Sequence, residues 1–172
     1  SDKQVVKYLT SVNGKTVKLY AQWKKDVYSI TYTLNGGTQN SKNPTKYSID
    51  SKTSALYAPT RKGYTFLGWY KDSKFKTKIE KITKGSIGNL TLYAKWQANT
   101  YNVEFVGNGS TSGSMSKQTK LKYGTSYNLT ANAFKKKGYT FTGWNTKADG
   151  TGTKLSDKQV VKYLTSVNGK TV

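Results

Sequence analysis

The residues best placed to do chemistry in this chain are clustered cations. Arg61-Lys62 and Lys135-Lys136-Lys137 each stand directly ahead of a Gly-Tyr-Thr-Phe segment, and Lys71, Lys74, Lys76 and Lys78 form a second group beyond the first of them. In all, 29 Lys and Arg face 8 Asp and Glu, a formal charge of +21. A field of that sign attracts anionic polymers. Ammonium groups on flexible stems act as point charges, so such contacts are expected to be salt-dependent and blind to sequence. Where a repeat presents them again, weak contacts sum by avidity. Scattered lysines also keep strands soluble and discourage edge pairing.

Most other chemistry lacks its residues. With no Cys and no His, the usual zinc sites have no ligands, and Ser-His-Asp and Cys-His catalysis have no base. Asp72 and Glu80, or Glu104 and Asp149, show no spacing that suggests a pair of glycosidase carboxylates. The run from Gly107 to Ser112 fails the dinucleotide fingerprint at its third glycine. Lys147 stands where a calcium loop would need an oxygen ligand. No motif for base-specific nucleic-acid recognition is present, and no apolar run nears the ~20 residues that span a bilayer. The expectation is a non-enzymatic protein with no cofactor, no metal and no membrane insertion.

The elements that carry the cations are set by repeats. Residues 1–17 and 156–172 are identical. Inside that period lies a second echo. RKGYTFLGWYKD (61–72) returns as KKGYTFTGWNTK (136–147), LTLYAKW (90–96) resembles VKLYAQW (17–23), and VYSITYTLNGGT (27–38) resembles TYNVEFVGNGST (100–111). The chain therefore divides into the end of one module (1–23), a complete module A (24–96) and a module B (97–172) whose last strand has its sequence at 18–23. The identical ends are expected to mark successive periods of an alternating array, with neighbouring copies joined head to tail.

Within a module, Tyr28, Ile30, Tyr32 and Leu34 alternate with Ser29, Thr31 and Thr33, a half-buried strand running into an Asn35-Gly36-Gly37 turn. Tyr101, Val103 and Phe105 take the same face in B, with Glu104 toward solvent. A second strand is expected within 45–57, using Tyr47, Ile49, Leu56 and Tyr57. A third is expected over the Gly-Tyr-Thr-Phe-x-Gly-Trp motif, with a bulge or close approach at Gly68. Tyr64, Phe66, Trp69 and Trp96 in A, and Tyr139, Phe141, Trp144 and Trp23 in B-type sequence, are the expected aromatic core. Ser156 and Gln159 spell a capping box ahead of Val160, Leu164 and Val167, which predicts a helix closed by Asn168-Gly169. Residues 1–17 predict the same helix through Ser1, Gln4, Val5, Leu9 and Val12. Module A has a shorter equivalent around Ile79 and Ile82, ended by Gly85.

The motifs G-Y-T-F-x-G-W and L-Y-A-x-W, after an opening Y-x-I-T-Y-x-L-N-G-G-T, resemble the Listeria–Bacteroides repeat (internalin B-type repeat). The likeness covers 27–96 and, more loosely, module B. It implies a β-grasp-like fold used in tandem, and the strands and helix read above make each module a small α+β unit of mostly antiparallel strands plus one short helix, which the short linkers Lys24-Lys25-Asp26 and Gln97-Ala98-Asn99 string into an extended array. It also implies use in secreted or wall-attached bacterial surface proteins, without enzymatic activity. The expected role is a structural stalk or fibre segment outside the cell. The alternative is an adhesive module holding anionic glycans or wall polymers through Arg61, Lys62, Lys71, Lys74, Lys76, Lys78, Lys135, Lys136 and Lys137.

Overall fold

A computed structural model describes residues 5, 7 and 9–172. Module A holds β1 (Tyr28–Thr33), β2 (Lys46–Tyr47), β3 (Ser54–Ala55), β4 (Tyr64–Tyr70), β5 (Lys78–Ile79), β6 (Lys81–Ile82) and β7 (Leu90–Ala98). Five of these form one sheet in the order β2-β1-β7-β4-β5, and β3 pairs with β6 as a separate ribbon. The first and last strands of the module lie side by side and parallel, Ile30 opposite Leu90 through Thr33 opposite Tyr93. The other pairings are antiparallel.

Alternation decides what is buried. Tyr28, Ile30, Tyr32 and Leu34 share the core with Leu92, Ala94 and Trp96 of β7, around a Trp69 that is 1% exposed. Phe66 and Trp69 are three residues apart, which in a regular strand would put them on opposite faces. A bulge between Phe66 and Gly68 turns both inward. Gly68 has φ 134, a backbone conformation that side-chain-bearing residues rarely adopt, so the bulge needs glycine.

Module B repeats the plan with β8 (Thr100–Val103), β9 (Gln118–Lys122), β10 (Tyr127–Asn128), β11 (Trp144–Asn145), β12 (Lys154–Leu155) and β13 (Val160–Val161). Trp144 faces Leu155 as Trp69 faces Ile79, and Tyr127 faces Val161 as Ser54 faces Ile82. Its core gathers Tyr101, Val103, Phe105, Leu121, Leu129 and Val161. Glu104 is exposed, 3.2 Å from the Lys117 ammonium.

The α+β expectation is overturned: no helix occurs among the described residues, and the chain is all-β. Half of the capping box does form. Gln159 Oε1 accepts from the Ser156 N–H at 2.7 Å, but Lys158 then takes φ 56 and the chain turns instead of winding. Val160 and Val161, β-branched and suited to a pleat, pair with β10. Val161 is the buried one, while Val160 and Val167 of the supposed helical stripe are exposed. In A, Ile79 and Ile82 likewise lie on β5 and β6, and Gly85 donates its N–H to Ile49 O. For the copy at 1–17, Ser1 and Gln4 lie outside the described residues, and Val5, Leu9 and Val12 are exposed without a helix. The strand expected within 45–57 divides into β2 and β3, because Ser51 folds back on Ser48 in a turn. Ile49 and Tyr57 are consequently exposed.

Only Asn99 separates β7 from β8. Its N–H donates to Gly63 O (2.9 Å), its Oδ1 accepts from the Thr65 hydroxyl (2.7 Å), its Nδ2 donates to Ser166 O (2.8 Å) and its carbonyl accepts from the Tyr123 N–H (2.8 Å). Every polar group of one residue thus ties the modules together. Tyr64 meets Tyr123 edge-on at 6.1 Å, and Tyr123 meets Tyr163 at 5.0 Å.

Candidate functional site

The two modules place one cation alike. In A the Arg61 guanidinium lies 3.6 Å from the Tyr64 ring centroid, and a Cβ on turn residue Gly36 would sit 3.3 Å from it. In B the Lys136 ammonium lies 4.4 Å from the Tyr139 ring, and a Cβ on Gly109 would sit 3.4 Å from it. Each therefore covers an Asn-Gly turn, whose Asn35 and Asn108 have φ 50 and 43. The aromatic quadrupole and the turn hold these two cations in place, Arg61 half-buried and Lys136 exposed.

Lys71, Lys74, Lys76 and Lys78 radiate from the hairpin between β4 and β5. Asp72 fixes that hairpin by accepting from the N–H groups of Lys74, Lys76 and Thr77. The bonds from Lys76 and Thr77 hold its carboxyl below the usual range. Lys78 spends part of its charge on Glu80, 3.3 Å away. Arg61, Asn35, Phe75, Lys95 and Trp96 border a shallow depression, which Lys62 does not line. Lys95, which belongs to none of the cation clusters evident in the sequence, stands 5.2 Å from the Tyr70 ring and 5.5 Å from that of Phe75. Its alternation with Ala94 and Trp96 on a core strand is the signal that could have placed it there.

In B, Lys135 and Lys136 line a larger groove together with Lys147, and Lys137 stands outside it. That groove, about 800 Å³, runs between the extension of β8 through Gly107 and the segment 139–145, over a floor that includes Phe105, Phe141, Trp144 and Leu155. Three aromatics expected in the core are not enclosed: Trp23 is 92% exposed, Tyr139 71% and Phe141 40%. The physical reason is shared, since among the described residues no strand lies against 139–143 and Lys18–Trp23 pairs with nothing. Tyr64, Phe66 and Trp96, by contrast, are half-buried, and Trp69 is fully enclosed. Among the described residues, no group of three acids is gathered to hold a metal, and no helix is long and apolar enough to cross a membrane.

The family described as the Listeria-Bacteroides repeat domain matches twice in tandem, at 28–95 and 101–167. A "Putative membrane protein" of Evansella cellulosilytica is 33% identical over 83% of this chain and 21% of its own length. A "Putative Gly-rich membrane protein" of the same organism is 37% identical over 74% of this chain and 14% of its own. Internalin H of Listeria monocytogenes is 38% identical over 55% of this chain and 16% of its own. The chain thus spans about a fifth or less of the relatives it matches. No solved structure matches it.

Proposed function

We propose, from the premise that this chain belongs to the Listeria-Bacteroides repeat domain family, that it is a non-catalytic structural repeat, a stiff spacer segment of a bacterial extracellular surface protein. The Asn99 junction carries this reading. One residue between two strands, bonded to both modules and flanked by a Tyr64–Tyr123–Tyr163 cluster, leaves little freedom for the modules to bend. The names of the relatives, two of them membrane proteins and one an internalin, support a place at the bacterial envelope. Residual dipolar couplings should fit one alignment tensor across both modules, and Asn99→Ala should split them into two. Two independent tensors in the unaltered chain would end the spacer reading.

A second reading has its own support. Arg61 and Lys136 hold equivalent places, so the array presents a positioned cation once per module. An adhesive role on anionic glycan or wall polymer would use them, with Lys95 and Lys147 beside them. Heparin retention that vanishes by moderate salt and drops sharply in the Arg61→Ala, Lys136→Ala double variant supports adhesion. Retention unmoved by that variant rejects these two residues as its carriers.

A further inference from the structure

The depression on module A lies where two neighbouring strands part. Thr33, the last residue of β1, stands opposite Tyr93 of β7, which in turn stands opposite Tyr70 of β4. The chain then turns away at Asn35-Gly36, and Asn35 Nδ2 donates back to Ala94 O at 2.8 Å. β7 runs on through Lys95 and Trp96, and the hairpin between β4 and β5 brings Ser73 and Phe75 to the same edge. The resulting depression holds about 440 Å³, within the range of ~300–1,000 Å³ that small-ligand clefts use.

Both cations at its border are held by rings. Arg61 lies 3.6 Å from the Tyr64 centroid, and Lys95 lies 5.2 Å from that of Tyr70 and 5.5 Å from that of Phe75. Neither cation forms an ion pair among the described residues, and none of the residues lining the depression is acidic. Two positive charges fixed in advance lose little freedom when an anion arrives. Tyr93, a half-buried ring, lines the same depression.

Phe75 is the unexpected member of this group. Its φ is 55, in the left-handed region that side-chain-bearing residues disfavour. Module B forms the same turn without it: Gly150 N–H donates to Lys147 O as Phe75 N–H donates to Asp72 O, and the glycine has φ 78. The turn itself therefore does not need phenylalanine. Asn145 of module B stands where Tyr70 does, opposite Lys154 as Tyr70 is opposite Lys78. B-type sequence also has Gln22 in the place of Lys95. The two rings and the cation they hold occur together in A and are replaced together in B.

We propose that this depression is a subsite for one uronic-acid unit of an acidic polysaccharide, its sugar ring on Tyr93 and its carboxylate between Arg61 and Lys95. The inference rests on the adhesive reading above and gives it a ligand class and a place. A pyranose has a face of C–H groups that suits the negative face of an aromatic ring. Its carboxylate accepts from a guanidinium fork and an ammonium, and Thr33, Asn35 and Ser73 stand at the rim for its hydroxyls. A phosphodiester chain is held instead by a track of cations along its length. A polyanion without rings has no use for Tyr93.

The test is a titration of the whole 172-residue chain, read by amide and tyrosine-ring proton shifts. The probes are tetragalacturonate, its methyl ester, inorganic tetraphosphate and a four-nucleotide single-stranded DNA. Tetragalacturonate should shift Thr33, Tyr93 and Lys95, and the other three should shift them far less. Tyr93→Thr should weaken tetragalacturonate binding about three- to tenfold, and Arg61→Ala and Lys95→Gln about threefold each. Phe75→Gly acts through Lys95 and should weaken it by a smaller factor in a chain that still folds, as B does with glycine there; Phe75→Tyr should bind like the parent. Shifts spread evenly over the lysines of both modules overturn the proposal. So does tetraphosphate or DNA that binds the depression as tightly, or a Tyr93→Thr variant with the parent's affinity. If heparin retention still falls in the Arg61→Ala, Lys136→Ala variant in any of those cases, the adhesive reading stands without this subsite; if it does not, both are rejected.

Discussion

Gly-Tyr-Thr-Phe-Leu-Gly-Trp in module A and Gly-Tyr-Thr-Phe-Thr-Gly-Trp in module B differ at one position, and among the described residues only the first is paired along its length. In A the segment lies in a seven-residue strand, Tyr64–Tyr70, against β7; in B only Trp144–Asn145 is strand. Gly68 and Gly143 keep nearly the same φ, 134 and 133, and Phe141 still packs 4.9 Å from Trp144. Local backbone geometry is thus specified by the motif, while strand identity comes from the neighbour it bonds to. Strand propensity here measures partnership more than residue type.

That comparison sharpens first at the two tryptophans. Trp69 is enclosed and donates Nε1 to Tyr57 O at 3.0 Å, whereas Trp144 is half-buried and its Nε1 has no partner among the described residues. Trp69→Ala is expected to cost about 3–5 kcal/mol, and Trp144→Ala roughly 1–3 kcal/mol. Urea unfolding followed by module-resolved amide signals would check both. Equal losses would mean that B is as completely packed as A.

Much of this architecture is legible in the sequence, for definite reasons. The tandem repetition and the Tyr28–Leu34 face follow from identity and period two, which need no tertiary knowledge. The bulge at Gly68 is legible because Phe66 and Trp69 cannot otherwise share a face. The supposed helix is not. A capping pair and an apolar i, i+4 pattern fit 156–167, but Val160-Val161 could pair with β10, a partner some thirty residues upstream whose presence the periodicity does not register. The exposure of Tyr139, Phe141 and Trp23 is equally hidden, because it depends on which strand occupies the centre of the sheet. As for the cations, the sequence marks Arg61 and Lys136 as members of runs. Only the fold puts each over a tyrosine and an Asn-Gly turn.

The next contrast lies in two glycines at equivalent places, Gly63 with φ 76 and Gly138 with φ 77. A Cβ on Gly63 would meet the Tyr123 ring at 2.1 Å, and one on Gly138 meets nothing within 4 Å. Gly138→Ala should cost only the left-handed backbone penalty, about 1–2 kcal/mol. Gly63→Ala should lose more than that and in addition free Tyr123, which Tyr fluorescence and interdomain dipolar couplings would detect. Equal effects would mean that the junction does not depend on this close approach.

Two phenols, Tyr32 half-buried and Tyr101 enclosed, separate the modules in a third way. The Tyr32 hydroxyl donates to Pro44 O at 2.8 Å, and burial pushes its pKa up to about 12; Tyr101 is also raised by burial, but its hydroxyl has no partner among the described residues. Tyr32→Phe should cost about 1 kcal/mol near pH 7, and Tyr101→Phe should be close to neutral. A phenol held neutral in the fold ionises first in the unfolded chain. Stability from Tyr32 is therefore full below about pH 10 and falls as pH rises from there toward about 12. Tyr32→Phe should flatten this alkaline decline in melting temperature. A decline unchanged by the substitution would assign it to other groups.

The smallest expected effect is at the paired cations. Arg61 stacks a planar guanidinium 3.6 Å from Tyr64, a ring that Tyr123 also steadies, while Lys136 sets a rotatable ammonium 4.4 Å from Tyr139, which is 71% exposed. Solvent competes more strongly for the second contact, and the ammonium is the better hydrated ion. Arg61→Ala should therefore cost about 0.5–1 kcal/mol, and Lys136→Ala a smaller amount, resolved by thermal unfolding in replicate. The ordering should reverse on heparin. A cation less committed to its own ring is freer to meet an anion, so Lys136→Ala should lower retention at least as much as Arg61→Ala. If Arg61→Ala dominated both measurements, the positioned guanidinium itself would be the adhesive group, and module A would be where polyanions dock.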